Sequence, residues 1–195
     1  MALLCATIAA GCGGDSKEPS VVPSGFLGDY SQLAPGREGQ ARLIYINPEA
    51  DFSLYDKMMI QPVALWDPER SAPMATPTPD QRGLVERLQR ALTVQLGQDF
   101  QLVDEAQPGT LSLRMAITRA EGTSAGIEVE LFDVMSHTRL VGAVDDQDVA
   151  STVGADATDP LGETFDRWAA LIRMRLVAFR NFDAAQKATD QAAGP

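Results

Sequence analysis

The stretch LSLRMAITRAEGTSAGIEVELFDVMSHTRL, residues 111–140, decides the fold. Leu111, Leu113, Met115 and Ile117 alternate with Ser112, Arg114, Ala116 and Thr118, the two-residue period of a strand with one buried face. Ile127, Val129 and Leu131 alternate with Glu128 and Glu130 in the same way. Asp133 to Thr138 supplies a turn, and Arg139–Val144 is the expected hairpin partner. The carboxylates of Glu128 and Glu130 share one face, which is expected to meet water.

Downstream, Asp145 to Thr158 is polar and acidic and is expected to be a loop. Asp159-Pro160 then starts a helix, a capping residue followed by a proline whose missing N–H costs nothing there. Leu161, Phe165, Trp168, Ile172, Leu176 and Phe179 give it one apolar stripe. Residues 183–195 are small and polar and are expected to be a disordered tail.

Upstream, Tyr55 to Trp66 is expected to be a central strand, with Pro62 at a bulge or a sheet edge because it cannot donate to the ladder. Residues 67–79 hold four prolines and read as a loop. Thr78-Pro79-Asp80-Gln81 opens a second helix with a capping box, and Gly97 closes it. Leu84, Leu88, Ala91, Leu92 and Leu96 form its apolar face. Phe100–Val103 is expected to be a short strand and Leu43–Ile46 an edge strand. The apolar anchors Phe26, Leu27, Tyr30 and Leu33 point to an ordered arm packed on the domain. Two helices cannot cover both faces of such a sheet. The expected fold is therefore α/β, a two-layer sandwich with a mixed, mostly antiparallel sheet and two helices packed on one face. It forms a single domain over residues 25–182.

A chain of 195 residues with 45% hydrophobic residues can bury one such core. The formal net charge of −11 repels phosphate backbones, so a nucleic-acid partner is not expected. The two cysteines, Cys5 and Cys12, both precede the domain, which excludes an internal disulfide or a thiolate nucleophile within it.

Residues 1–11 are apolar or small and match the apolar part of a secretory signal, whose missing basic end is expected from a start assigned too late. Ala9-Ala10-Gly11-Cys12 resembles a bacterial lipobox, which makes Cys12 the lipidation site. Residues 12–24 then form a tether rich in Gly, Ser and Pro. Gly13 beside the cysteine, in place of Asp, resembles the pattern of lipoproteins sent to the outer membrane, on its periplasmic side.

The search for chemistry is spare. The chain has one histidine, His137, in the expected turn beside Ser136 and near Asp133. Neighbours on a tight turn seldom converge as a triad, so a solvated turn histidine is expected. Asp145, Asp146 and Asp148 lack the glycine turn and distal glutamate of a calcium loop, so a solvated acidic loop is expected there. Glu128 and Glu130 have no evident sugar-binding cleft beside them. No catalytic residue, cofactor or metal is assigned.

Gly25-Phe26-Leu27-Gly28-Asp29-Tyr30-Ser31-Gln32-Leu33 resembles the GFL-x-DY-x-x-L signature of a bacterial lipoprotein family, domain of unknown function 3313. Tyr45-Ile46-Asn47-Pro48 and Tyr55-Asp56-Lys57 through Trp66 follow in that family's order. Glu128-Val129-Glu130 with Asp133, Thr138, Arg139 and Leu140 resembles its hairpin, and Phe165-Asp166-Arg167-Trp168 its closing helix. The Ala120–Gly126 link is shorter than the family's insertion at that place. The resemblance implies an envelope lipoprotein with a mixed α/β domain and assigns no activity.

The expected function is a lipid-anchored, non-enzymatic periplasmic domain that binds an envelope protein or glycan partner. A small-ligand carrier is the alternative and requires an apolar cavity between helices and sheet. A hydrolase using His137 and the carboxylates of Glu128, Glu130 and Asp133 is a further alternative.

Overall fold

The computed structural model describes residues 21–149 and 158–193. The signal segment 1–11, the lipidation site Cys12 and the first part of the tether lie outside the described residues. The strands are β1 (Ala34–Pro35), β2 (Leu43–Ile46), β3 (Lys57–Ile60), β4 (Ala64–Asp67), β5 (Ala72–Pro73), β6 (Gln101–Leu102), β7 (Thr110–Glu121), β8 (Ser124–Asp133) and β9 (Arg139–Asp148). The helices are α1 (Pro79–Leu96) and α2 (Pro160–Ala193).

The expected hairpin forms and is longer than its core. β7, β8 and β9 pair antiparallel in sequence, and the path across the sheet is β1-β2-β9-β8-β7-β3-β6. β3 and β4 both run parallel to β7, with Ile60 opposite Leu113 and Ala64 opposite Ala116. Three residues, Gln61 to Val63, therefore face two on β7, so the expected single strand breaks into two at a bulge on Pro62. Gly126 sits opposite a second irregularity, where a Cβ would fall 2.9 Å from Thr118 Oγ1. The sheet is mixed and mostly antiparallel, and two helices complete an α/β fold.

Local chemistry sets the helix starts. Thr78 Oγ1 accepts from Gln81 N at 3.2 Å while Gln81 Oε1 accepts from Thr78 N at 2.9 Å, a complete capping box. Asp159 Oδ1 accepts from Gly162 N at 3.1 Å at the head of α2. Leu88, Leu92 and Leu96 of α1 and Phe165, Trp168 and Leu176 of α2 pack on Leu111, Leu113, Met115, Ile117, Ile127 and Leu131. Arg87 joins the helices by pairing with Asp159 and with Asp166.

Three expectations are corrected. The acidic stretch does not begin as a loop, because β9 continues through Asp145 and Asp146 to Asp148, paired with β8 as far as Ser124. Residues 150–157 of that stretch lie outside the described residues. From Asp183 to Ala193 the chain is not a disordered tail either, since α2 continues through it. Asp183 Oδ2 accepts from Phe52 N at 2.7 Å, and Lys187 pairs with Asp51, which ties this last part of the helix to the 3-10 turn at Phe52–Leu54. Ala184, Ala185, Gln186 and Lys187 are good helix formers, so little packing is needed to extend it.

The third correction concerns the sheet's second face, which is not wet at its centre. Glu128 and Glu130 are both 0% exposed. Phe26 and Leu27 bury themselves there with Ala116 and Val144, flanked by Tyr30, Leu33 and Trp66. The expected arm is present, and it lies over the carboxylates.

Candidate functional site

Two places among the described residues bear on a site. The first is the junction between arm and sheet. Glu128 Oε1 accepts from Ser24 N at 2.8 Å, and its Oε2 accepts from Tyr30 Oη at 2.5 Å and Leu27 N at 3.3 Å. Ser24, the last residue of the expected tether, is thus buried in the domain. Glu130 is held between Arg114 and Arg139. Those two arginines hold the arm in turn, Arg114 through Phe26 O at 3.0 Å and Arg139 through Leu27 O at 2.9 Å and Asp29 O at 2.7 Å. The Arg114 guanidinium also lies 4.5 Å from the centre of the Phe26 ring, which packs edge-on against Trp66. Trp66 Nε1 donates to Ser24 O at 3.0 Å.

This junction is a fastening. Its carboxylates are sealed beneath the arm, with their oxygens taken up by backbone N–H groups, a phenol and two guanidinium groups. Burial and the hydrogen bond to Glu128 push the Tyr30 hydroxyl up to about 12. It therefore stays a donor at any physiological pH.

The second place lies on the opposite face, a cavity of about 560 Å³ between α2 and the sheet. Leu113, Ile127, Val129, Leu131, Val141 and Ala143 form its floor, and Leu171, Ile172, Leu176 and Phe179 of α2 form its wall. Gly39, Gln40 and Ala41, in the turn between β1 and β2, form the facing lip. Arg167 and Arg175 stand on the helix lip, and Arg175 donates to Gly39 O across the mouth. The volume and apolar lining fall within the range of small-molecule sites.

Asp145 and Gln147 enter the cavity from β9. Asp145 Oδ2 accepts from Trp168 Nε1 at 3.0 Å and from Gln147 Nε2 at 2.7 Å. This answers the requirement that a buried indole find a partner. Burial raises the Asp145 carboxyl above its ordinary range despite those donors. The expected carboxylate cluster is split by strand alternation, because Asp145 faces the cavity while Asp146 pairs with Arg42 at 2.5 Å and Arg119 at 3.6 Å.

His137 stands exposed in the β8–β9 turn at φ +57°, its backbone N–H donating to Asp133 O at 2.9 Å. Asp133 Oδ1 accepts from Met135 N at 2.9 Å and Ser136 N at 2.7 Å, and its Oδ2 accepts from Tyr55 Oη at 2.9 Å. Burial alone would raise Asp133, but these donors outweigh it and hold the carboxyl below its ordinary range. The residues weighed as a hydrolytic set therefore lie in two places, a turn and the arm junction. Among the described residues no group of His, Cys, Asp and Glu is placed to hold a metal, and no helix is long and apolar enough to cross a membrane.

The sequence marked Asp145 only as one of three acidic neighbours. The available signal was its spacing from Val141 and Ala143, which puts all three on one strand face.

Among solved structures, the PelC dodecamer from Paraburkholderia phytofirmans is 16% identical, with 68% of this chain and 94% of that one covered and a TM-score of 0.42. The hypothetical protein CT253 from Chlamydia trachomatis is 14% identical over 62% of this chain and 98% of that one, at a TM-score of 0.38. Protein XCC0632 from Xanthomonas campestris is 9% identical over 74% of this chain and 94% of that one, at 0.36. No curated protein matches the chain. The sequence pattern of the family described as "Protein of unknown function (DUF3313)" matches residues 22–127, from the arm through the first residues of β8. The chain belongs to that family.

Proposed function

We propose that the chain is a non-enzymatic ligand-binding domain, anchored by lipid on Cys12 to the periplasmic side of the bacterial outer membrane. The observation that carries the binding reading is the cavity of about 560 Å³, apolar on floor and helix wall and polar at one end. It is the feature that a small-ligand carrier requires, and it moves the preference from an envelope protein or glycan partner toward a small apolar ligand. The absence of enzymatic work is read from the buried carboxylates, Glu128 committed to the arm and Glu130 to Arg114 and Arg139. The anchor is read from the lipobox-like residues Ala9 to Cys12. Several acyl chains there would hold firmly, at about 0.8 kcal/mol per buried CH₂.

Native mass spectrometry of the full chain recovered from cell envelopes tests the binding reading. A co-purifying small molecule, lost on heat denaturation and absent from an Ala143→Phe variant that still folds, is expected. An empty protein that also takes up no apolar probe would overturn it. Labelling with a lipid precursor, present in the wild type and absent in Cys12→Ser, tests the anchor.

A further inference from the structure

The cavity changes character along its length, and that gradient deepens the reading above. On β9 the floor passes from Val141 and Ala143 to Asp145 and Gln147, two residues at a time on one face. The helix wall matches it. Phe179 and Leu176 lie toward the apolar end, while Trp168, bonded to Asp145, and its neighbour Arg167 lie at the polar end. A ligand seated here has one apolar end and one polar end.

The polar end carries both signs of charge. Asp145 Oδ2 already holds two donors, from Trp168 and Gln147. Its Oδ1 accepts from Arg42 N at 3.4 Å, a long contact that leaves acceptor capacity on that oxygen. Arg167, on the helix lip, lines the same cavity and supplies the positive charge. An anionic head would meet the Asp145 carboxylate in a low-dielectric site, and a cationic head would meet Arg167 at the mouth. A neutral group that both donates and accepts meets neither penalty.

We propose that the ligand is a single-chain amphiphile with an uncharged, hydroxyl-bearing head. Its chain lies along Val141, Ala143 and Leu176, and its hydroxyl donates to Asp145 Oδ1. The inference rests on the cavity being a binding site at all. It adds the chemical class of the occupant, with Asp145 as the group that reads the head.

The test uses the full chain carrying Cys12→Ser, titrated by calorimetry with monolauroylglycerol, laurate and dodecylamine below their micelle concentrations. Monolauroylglycerol is expected to bind at least about tenfold more tightly than either charged analogue. Asp145→Asn, which removes the negative charge and keeps the side chain's shape, is expected to bring laurate to within about threefold of monolauroylglycerol. Ala143→Phe and, as a second plug from the helix side, Leu171→Trp are expected to abolish all three. Laurate or dodecylamine binding as tightly as the neutral probe overturns the head-group inference and leaves the cavity reading standing. So does an unchanged preference in Asp145→Asn. Failure of all three probes, or binding that survives both plugs in folded protein, overturns the cavity reading itself.

Discussion

Tyr30 hands its phenolic hydrogen to Glu128 Oε2 over 2.5 Å, across 98 residues of chain. One partner belongs to the GFLGDY segment and the other to the EVE hairpin, so two sequence signatures that look independent are halves of one contact. The same hydroxyl accepts from Gly25 N at 2.8 Å and Leu27 N at 3.2 Å, so it also shapes the arm it fastens. The arm in turn closes the sheet face opposite the helices, and the cavity lies on the other side.

Tyr30→Phe removes one donor and one acceptor from that junction, while Glu128→Gln weakens three hydrogen bonds at once. Each is expected to cost about 1–3 kcal/mol, the usual penalty for stranding buried polar groups. The double variant is expected to cost less than the sum, with a coupling above about 0.5 kcal/mol. Urea denaturation of the four proteins measures this. Strict additivity would contradict a direct Tyr30–Glu128 bond. The Tyr30 hydroxyl is raised from its ordinary 10.0 to about 12, so the folded state keeps a proton that the unfolded chain gives up. Its contribution is present below pH 10 and lost as the pH climbs toward about 12, a loss that Tyr30→Phe should lack.

Glu130→Ala should be the most damaging single change at the junction. Glu130 is fully buried between Arg114 and Arg139, and Arg139 is itself well covered, with a side-chain exposure of 13%. Removing the carboxylate leaves guanidinium groups facing each other under the arm, a loss of about 3–5 kcal/mol. Thermal unfolding followed by circular dichroism reads it. Retention of wild-type stability would mean that the arginines hold the arm without the acid.

The strands were legible because alternation is a local signal. Leu111 to Ile117 and Ile127 to Leu131 carry it whatever lies above them. What covers each face is not local. Glu128 and Glu130 have the pattern of a solvated face, and only the arm, brought back from a hundred residues away, makes them buried. Asp145 shows the same limit. Its acidic neighbours suggest a loop, while cross-strand pairing of Asp145 with Ile127 makes it strand and puts its side chain under Trp168. The continuation of α2 was missed for a different reason. Residues 184–193 lack apolar packing side chains, and their helix rests on intrinsic propensity, a signal the apolar pattern does not carry.

Asp145 should leave a signature in acid. Burial raises its carboxyl above the ordinary 3.8, so the folded protein binds a proton that the unfolded chain has released. For an acid shifted upward, the penalty on folding is absent below about pH 3.8 and grows as the pH rises through the folded value. The stability of wild type relative to Asp145→Asn is therefore expected to fall as the pH goes from about 3.5 to 7. Urea midpoints of the two proteins across that range measure it. A difference that stays flat would show that Trp168 and Gln147 stabilise the charged form enough to cancel its burial.

His137→Gly separates a turn residue from a working one. At φ +57° a side chain other than glycine's is strained, by about 1–2 kcal/mol for an L-residue. Glycine removes that strain and loses about 0.5–1 kcal/mol of it to greater chain entropy in the unfolded state. A net gain of up to about 1.5 kcal/mol is expected, with binding in the cavity unchanged. A fall in binding would place the turn at the ligand site and contradict the assignment of His137 to an exposed turn.

Truncation after Phe182 tests whether the end of α2 is part of the domain. The shortened chain loses Asp183, whose Oδ2 receives the Phe52 backbone N–H at 2.7 Å, and Lys187, which pairs with Asp51. Phe52 matters because its ring packs on Phe179 at 5.1 Å, at the apolar end of the cavity wall. The ion pair is partly exposed and worth little. The hydrogen bond to a half-buried N–H is worth more, so a loss of about 1–2 kcal/mol is expected. The turn at Phe52–Leu54 should loosen with it, which backbone hydrogen exchange at Phe52 would show. Apolar probes should then bind more weakly, because the Phe179 side of their site has lost its backing. Unchanged stability and unchanged exchange at Phe52 would mean that the last turns of α2 add nothing to the fold.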